Sequence, residues 1–128
     1  MSDIRANTIS DTSGNGPINL TGQSAAKVWI NFDGTAITKP ESMTGVRDSF
    51  NVSSVLDNNT GDYTVNFTNS LASGNCAWSG GATELSVVGA FNPAGYTTTY
   101  KRFNVKGTDT TLNKYVLDVN FIIHGDLA

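Results

Sequence analysis

Residues 46–68 read Val-Arg-Asp-Ser-Phe-Asn-Val-Ser-Ser-Val-Leu-Asp-Asn-Asn-Thr-Gly-Asp-Tyr-Thr-Val-Asn-Phe-Thr, and this stretch decides the fold class. Tyr63, Val65 and Phe67 alternate with Thr64, Asn66 and Thr68. A period of two marks a half-buried antiparallel strand, because successive side chains leave opposite faces of the pleat. Upstream, Phe50 and Val52 alternate with Ser49, Asn51 and Ser53, which predicts a second strand. Between the two, Asp57-Asn58-Asn59-Thr60-Gly61 offers residues that tolerate positive φ or bond their own backbone. Such residues predict a hairpin turn.

The same signal recurs on either side. Lys27–Phe32 places Val28, Ile30 and Phe32 on one face and Trp29 and Asn31 on the other. After a loop holding Gly34, Pro40 and Gly45, and after the hairpin, residues 75–79 precede Gly80-Gly81. Glu84–Phe91 and Tyr96–Lys106 read as further strands, the latter with Phe103 and Val105 inward, and Lys114–His124 as the last. Short strands separated by turn residues predict an all-β chain, an antiparallel β-sandwich of jelly-roll-like character. Residues 1–24 differ: they are polar, with Ile4, Ile9, Ile18 and Leu20 as isolated apolar anchors. Such a segment cannot bury enough apolar surface to order itself alone. It is expected to be an extended N-terminal arm, either loose or docked on another surface through those four anchors. Residues 25–128 then form the sandwich domain.

Composition narrows the function classes. The chain of 128 residues is long enough for one domain to bury a core without disulfides or a metal. Its net charge of −3, with scattered basic residues, argues against a nucleic-acid surface. Lys101-Arg102 and Lys106 read as the solvated face and end of a strand. Cys76 is the single cysteine, so no intrachain disulfide is expected, and between Asn75 and Ala77, with Trp78 following, it reads as a small buried hydrophobe. There is no apolar signal core and no run near ~18 apolar residues, so neither secretion nor membrane insertion is expected.

The final strand carries a second message. Tyr115, Leu117, Val119, Phe121 and Ile123 share one face, while Val116 and Ile122 lie on the opposite one. A strand apolar on both sides is buried on both sides, in a core or against a partner. Trp29, Val116 and Ile122 are therefore the candidate oligomer interface, since aromatics are enriched at interface centres. Trp78, Tyr96 and Tyr100, with the Thr97–Thr99 run, are candidate host- or glycan-facing residues, because aromatic faces and hydroxyls suit sugars.

Reaction chemistry finds little support. The lone His124 has no nucleophile elbow to serve, and one histidine with one cysteine cannot make a zinc site. No phosphate-binding glycine loop is present. A glycosidase needs two carboxylates across a cleft, and Asp33, Asp48, Asp57, Asp62, Glu84 and Asp118 mostly fall at turns and strand ends. The Asp57–Asp62 loop is the best candidate for a cation, yet it lacks the spacing and terminal Glu of an EF-hand. Asn19, Asn51, Asn58 and Asn66 head glycosylation sequons that so Asn- and Thr-rich a chain supplies by accident. The expectation is a non-enzymatic protein without catalytic residues, metal or cofactor.

Two stretches resemble small structural proteins of tailed bacteriophages, of the tail-fibre or virion-appendage kind. The first joins Ile4–Asp11 and Gly14–Pro17 to Ser24–Gly34, and the second runs from Arg47–Ser54 through Gly61–Thr68. The resemblance implies a β-rich, homotrimeric virion part, made in the bacterial host cytoplasm and mounted on other virion proteins of the tail or capsid. A tail-fibre-like or receptor-binding appendage, attached through the N-terminal arm and facing a host surface glycan, is the leading expectation. A capsid decoration protein and a polysaccharide-degrading appendage enzyme are the alternatives.

Overall fold

The computed structural model describes residues 26–37, 40–83, 86–90, 97–107 and 118–125. The protein is all-β. Its strands are β1 (Ala26–Phe32), β2 (Val46–Phe50), β3 (Val52–Asn59), β4 (Asp62–Phe67), β5 (Ala77–Ala82), β6 (Ser86–Ala90), β7 (Tyr100–Gly107) and β8 (Val119–His124). They form two four-stranded antiparallel sheets. Sheet A has the order β2-β1-β8-β5 and sheet B the order β3-β4-β7-β6. Two layers follow from the alternation, since each sheet has one apolar face that must be covered.

The core is what alternation predicted. Val28, Ile30, Phe32, Val119, Phe121 and Ile123 enter from sheet A, and Val55, Tyr63, Val65, Phe103 and Val105 from sheet B, all buried. Aromatic rings join the layers. Phe103 stacks on Phe121 with centroids 4.8 Å apart, and Phe32 meets Tyr63 edge-on at 5.1 Å. Offset and edge-on pairs of this kind add ~0.5–1.5 kcal/mol each beyond the area they bury.

Three expectations need correction. The first strand of the deciding stretch is two strands in different sheets, because the chain crosses from β2 to β3 at a single residue, Asn51, with φ of 58°. The corner is held by its side chain. Asn51 Nδ2 donates to the carbonyls of Lys27 (3.1 Å) and Asn69 (3.0 Å), and the Asn69 N–H donates to Asn51 Oδ1 (2.7 Å). Asn is among the few non-glycine residues that adopt this left-handed conformation readily. Phe50 and Val52 consequently do not share a face: Phe50 is exposed outside sheet A, whereas Val52 packs on the core.

Second, the hairpin turn is shorter than its polar run. β3 continues to Asn59, and Thr60-Gly61 alone make the turn, with Gly61 at φ 62° beside a bulge between Asp57 and Asn59. Third, Gly80 and Gly81 lie inside β5 rather than ending it. A Cβ on Gly80 would stand 2.9 Å from Val88 Cγ1 and 3.1 Å from the Asn120 carbonyl, so glycine here lets β5 of sheet A approach β6 of sheet B.

Candidate functional site

The outer faces of the two sheets have opposite characters. On sheet A, backbone register aligns Phe50, Trp29, Ile122 and Ser79 in one row across β2, β1, β8 and β5. Phe50 is 46% and Ile122 39% exposed, and Trp29 between them is half-buried. Cross-strand neighbours on one face lie ~5 Å apart, so the three apolar groups form a continuous stripe. Two of the three residues singled out as an interface are thus adjacent, while Val116 lies outside the described residues. Phe50 is not among the interface candidates because alternation put it on one face with Val52. Its outward position follows only once the corner at Asn51 is known.

A polar row borders this stripe. Asn31 Nδ2 donates to Asn120 Oδ1 at 2.5 Å, and Arg47 Nη1 donates to Asn31 Oδ1 at 3.2 Å. Arg47 also pairs with Asp118 at 2.6 Å and lies 3.8 Å from Asp33. At the β5 end a shallow depression of about 110 Å³ is lined by Ser79, Gly80, Gly81, Asn120, Phe121 and Ile122. The carboxyl of Asp33 is held below its ordinary value, chiefly by the Thr35 hydroxyl and backbone N–H, which donate at 2.6 and 2.9 Å.

Among the described residues the outer face of sheet B is mostly polar. One row holds Ser54, Asn66 and Tyr100, and the next holds Leu56, Thr64 and Arg102. Beyond them Asp62, which is buried, receives Arg102 through Nε at 2.9 Å and Nη2 at 2.6 Å, and Asn58 Nδ2 at 3.3 Å. The Asp62 bonds hold the guanidinium above its usual value against the effect of burial. The Asp57–Asp62 loop is therefore organised around an arginine. No group of three or more His, Cys, Asp or Glu stands together as a metal site among the described residues.

The glycan-facing candidates separate. Tyr100 is half-buried on the outer face of sheet B, while Tyr96 lies outside the described residues. Trp78 belongs to the inner face of β5 and packs on Phe121 with centroids 5.6 Å apart. Its alternation with the outward Ala77 and Ser79 turns it to the core, so the outward placement expected of it is corrected. The Thr97 hydroxyl donates to the Tyr100 carbonyl at 2.8 Å and accepts the Tyr100 N–H at 2.9 Å, a local brace rather than a ligand contact. The four arm anchors Ile4, Ile9, Ile18 and Leu20 lie outside the described residues.

Lys101 departs most from expectation. It is 1% exposed, on the inner face, with Nζ 3.6 Å from Cys76 Sγ, and is not part of a solvated strand face. The signal was present in the sequence: if Phe103 and Val105 point inward, a period of two sends Lys101 the same way. Cys76 is half-buried against the core, near its expected place. Of the acidic residues, Asp33 and Asp118 converge on Arg47, Asp48 accepts the Ser49 N–H at 2.8 Å, and Asp62 holds Arg102. Glu84 lies outside the described residues.

No protein-family model matches the chain, and neither the curated proteins nor the solved structures offer a match.

Proposed function

We propose that the protein is a non-enzymatic virion structural protein, a trimeric tail-fibre-like or receptor-binding appendage whose subunits meet through the outer face of sheet A. The observation that carries this reading is the Phe50–Trp29–Ile122 stripe. It has the anatomy of a subunit contact, with an apolar centre, an aromatic residue in the middle and a hydrogen-bonded polar margin. Phe50 and Ile122 are each less than half exposed, so burying what remains of them against a second copy contributes ~1 kcal/mol each. Closed symmetry satisfies such a face on every subunit. The likeness of the two quoted stretches to phage appendage proteins supports the virion context, and the N-terminal arm supplies the attachment.

Light scattering on the purified protein tests the assembly. The expected mass is three times the 13.5 kDa chain. The double substitution Trp29→Ser with Ile122→Ser is expected to give folded monomers. A wild-type protein that is monomeric at micromolar concentration, with an intact β-sheet spectrum, would overturn the reading. Particle incorporation after removal of residues 1–24 tests the arm: normal incorporation would dismiss it as the anchor. Binding to assembled capsids instead of tails would move the protein to the decoration class.

A further inference from the structure

We infer that Tyr100, Asn66 and Glu41 form a binding site for a neutral saccharide on the outer face of sheet B. The site extends the receptor-binding reading, though it does not need the trimer.

Glu41 reaches the sheet because its neighbour Ser42 makes an antiparallel bridge to Val55: the Ser42 N–H donates to the Val55 carbonyl at 3.0 Å and the Val55 N–H to the Ser42 carbonyl at 2.9 Å. This bridge brings Glu41 to the β3 end of the row of Ser54, Asn66 and Tyr100, within hydrogen-bond reach of the first two. Asn66 Nδ2 donates to Glu41 Oε2 at 2.7 Å and to Ser54 Oγ at 3.0 Å, and Ser54 Oγ donates to the same Glu41 oxygen at 3.3 Å. Both amide protons and the hydroxyl proton are thereby engaged. Among the described residues, Asn66 Oδ1 and Glu41 Oε1 are left as acceptors whose orientation the network fixes.

That pattern selects the ligand. Two acceptors held by one hydrogen-bond network fit a partner offering two neighbouring O–H donors, as a sugar's vicinal hydroxyls do. Tyr100, directly across from Asn66, is braced at its backbone by Thr97 and supplies an aromatic surface for the C–H face of a pyranose. Its hydroxyl has no hydrogen-bond partner among the described residues. Two oxygens fall short of the six to eight that calcium takes. An acidic sugar would meet the Glu41 carboxylate, so a neutral one is favoured. The preformed network lowers the ordering cost of binding.

Isothermal titration of the intact protein with a panel of neutral oligosaccharides, their deoxy analogues and calcium chloride tests the site. Expected is binding of a neutral hexose-containing member, weakened at least about tenfold by Glu41→Gln and by Tyr100→Ala, with unchanged melting curves. A deoxy analogue lacking one of the paired hydroxyls should weaken by a similar factor. Binding by no saccharide, binding unaffected by both variants, or calcium binding abolished by Glu41→Gln would each overturn the inference. Light scattering on the same samples separates the two readings: a trimer that binds no sugar removes the site alone, whereas a monomer that binds through Tyr100 removes the assembly alone.

Discussion

The Tyr63 hydroxyl, inside the sandwich, donates to the Gly34 carbonyl at 2.7 Å and so ties sheet B to the loop leaving β1 of sheet A. Tyr63→Phe keeps the ring packing against Phe32 and Phe103 but strands a buried carbonyl. The expected loss is ~1–2 kcal/mol of unfolding free energy. Urea denaturation measures it, and an unchanged midpoint would show that the bond contributes nothing net.

Asn51 combines a left-handed backbone with three side-chain hydrogen bonds. Asn51→Gly retains the backbone and loses the bonds, for an expected ~1–3 kcal/mol. Asn51→Ala adds the left-handed penalty of ~1–2 kcal/mol. The order wild type, Gly, Ala in chemical denaturation is the expected outcome. Equal stability of the Gly and Ala variants would show that strain at the corner is unimportant.

Adjacent glycines should respond in opposite ways. Gly80→Ala drives a methyl into Val88 and the Asn120 carbonyl and should cost ~1–3 kcal/mol. At Gly81 a Cβ meets nothing within 4 Å, so Gly81→Ala should be neutral or stabilise by ~0.5 kcal/mol through the unfolded chain. Thermal melts of the two variants make the comparison, and equal melting points would refute it.

Acid should weaken the loop after β1. Because the folded-state value for Asp33 is depressed below its ordinary 3.8, its contribution is complete above that value and is lost as pH falls through the folded one. Amide exchange at Thr35 should therefore rise in that acidic window in the wild type and be less pH-dependent in Asp33→Asn. An identical acid profile in both proteins would assign the loss to other carboxylates.

Substituting Arg102→Ala leaves Asp62 buried without its guanidinium. Since Arg102 is itself 38% exposed at its side chain, the cost is expected at ~1–2 kcal/mol rather than that of a fully buried pair. Arg102→Lys should recover part of it at most, because a lysine cannot bond both carboxylate oxygens in the same fork. Full recovery by lysine would show that charge alone matters.

Alternation made the layers legible. The inward sets of β1, β4, β7 and β8 follow from a period of two, and so does the outward pair of Trp29 and Ile122. What stayed hidden required three-dimensional knowledge. Nothing local says that Asn51, alone among so many asparagines, turns a corner; its bonds go to residues 18 and 24 positions away. Gly80 reads as a strand terminator because its reason for being glycine is Val88 on the other sheet. The Glu41–Asn66 contact spans 25 residues and depends on the isolated bridge at Ser42. Lys101, by contrast, is legible from the period of two, which here outweighs the rule that lysine is seldom buried.

The corner at Asn51 makes residues 46–59 one covalent ribbon shared by both layers. A pull along sheet A therefore reaches sheet B through backbone as well as through the aromatic stacking between them. Sliding one layer over the other must first straighten that bend, which has no slack to give. Resistance to shear between the two layers would thus rest in part on a single asparagine.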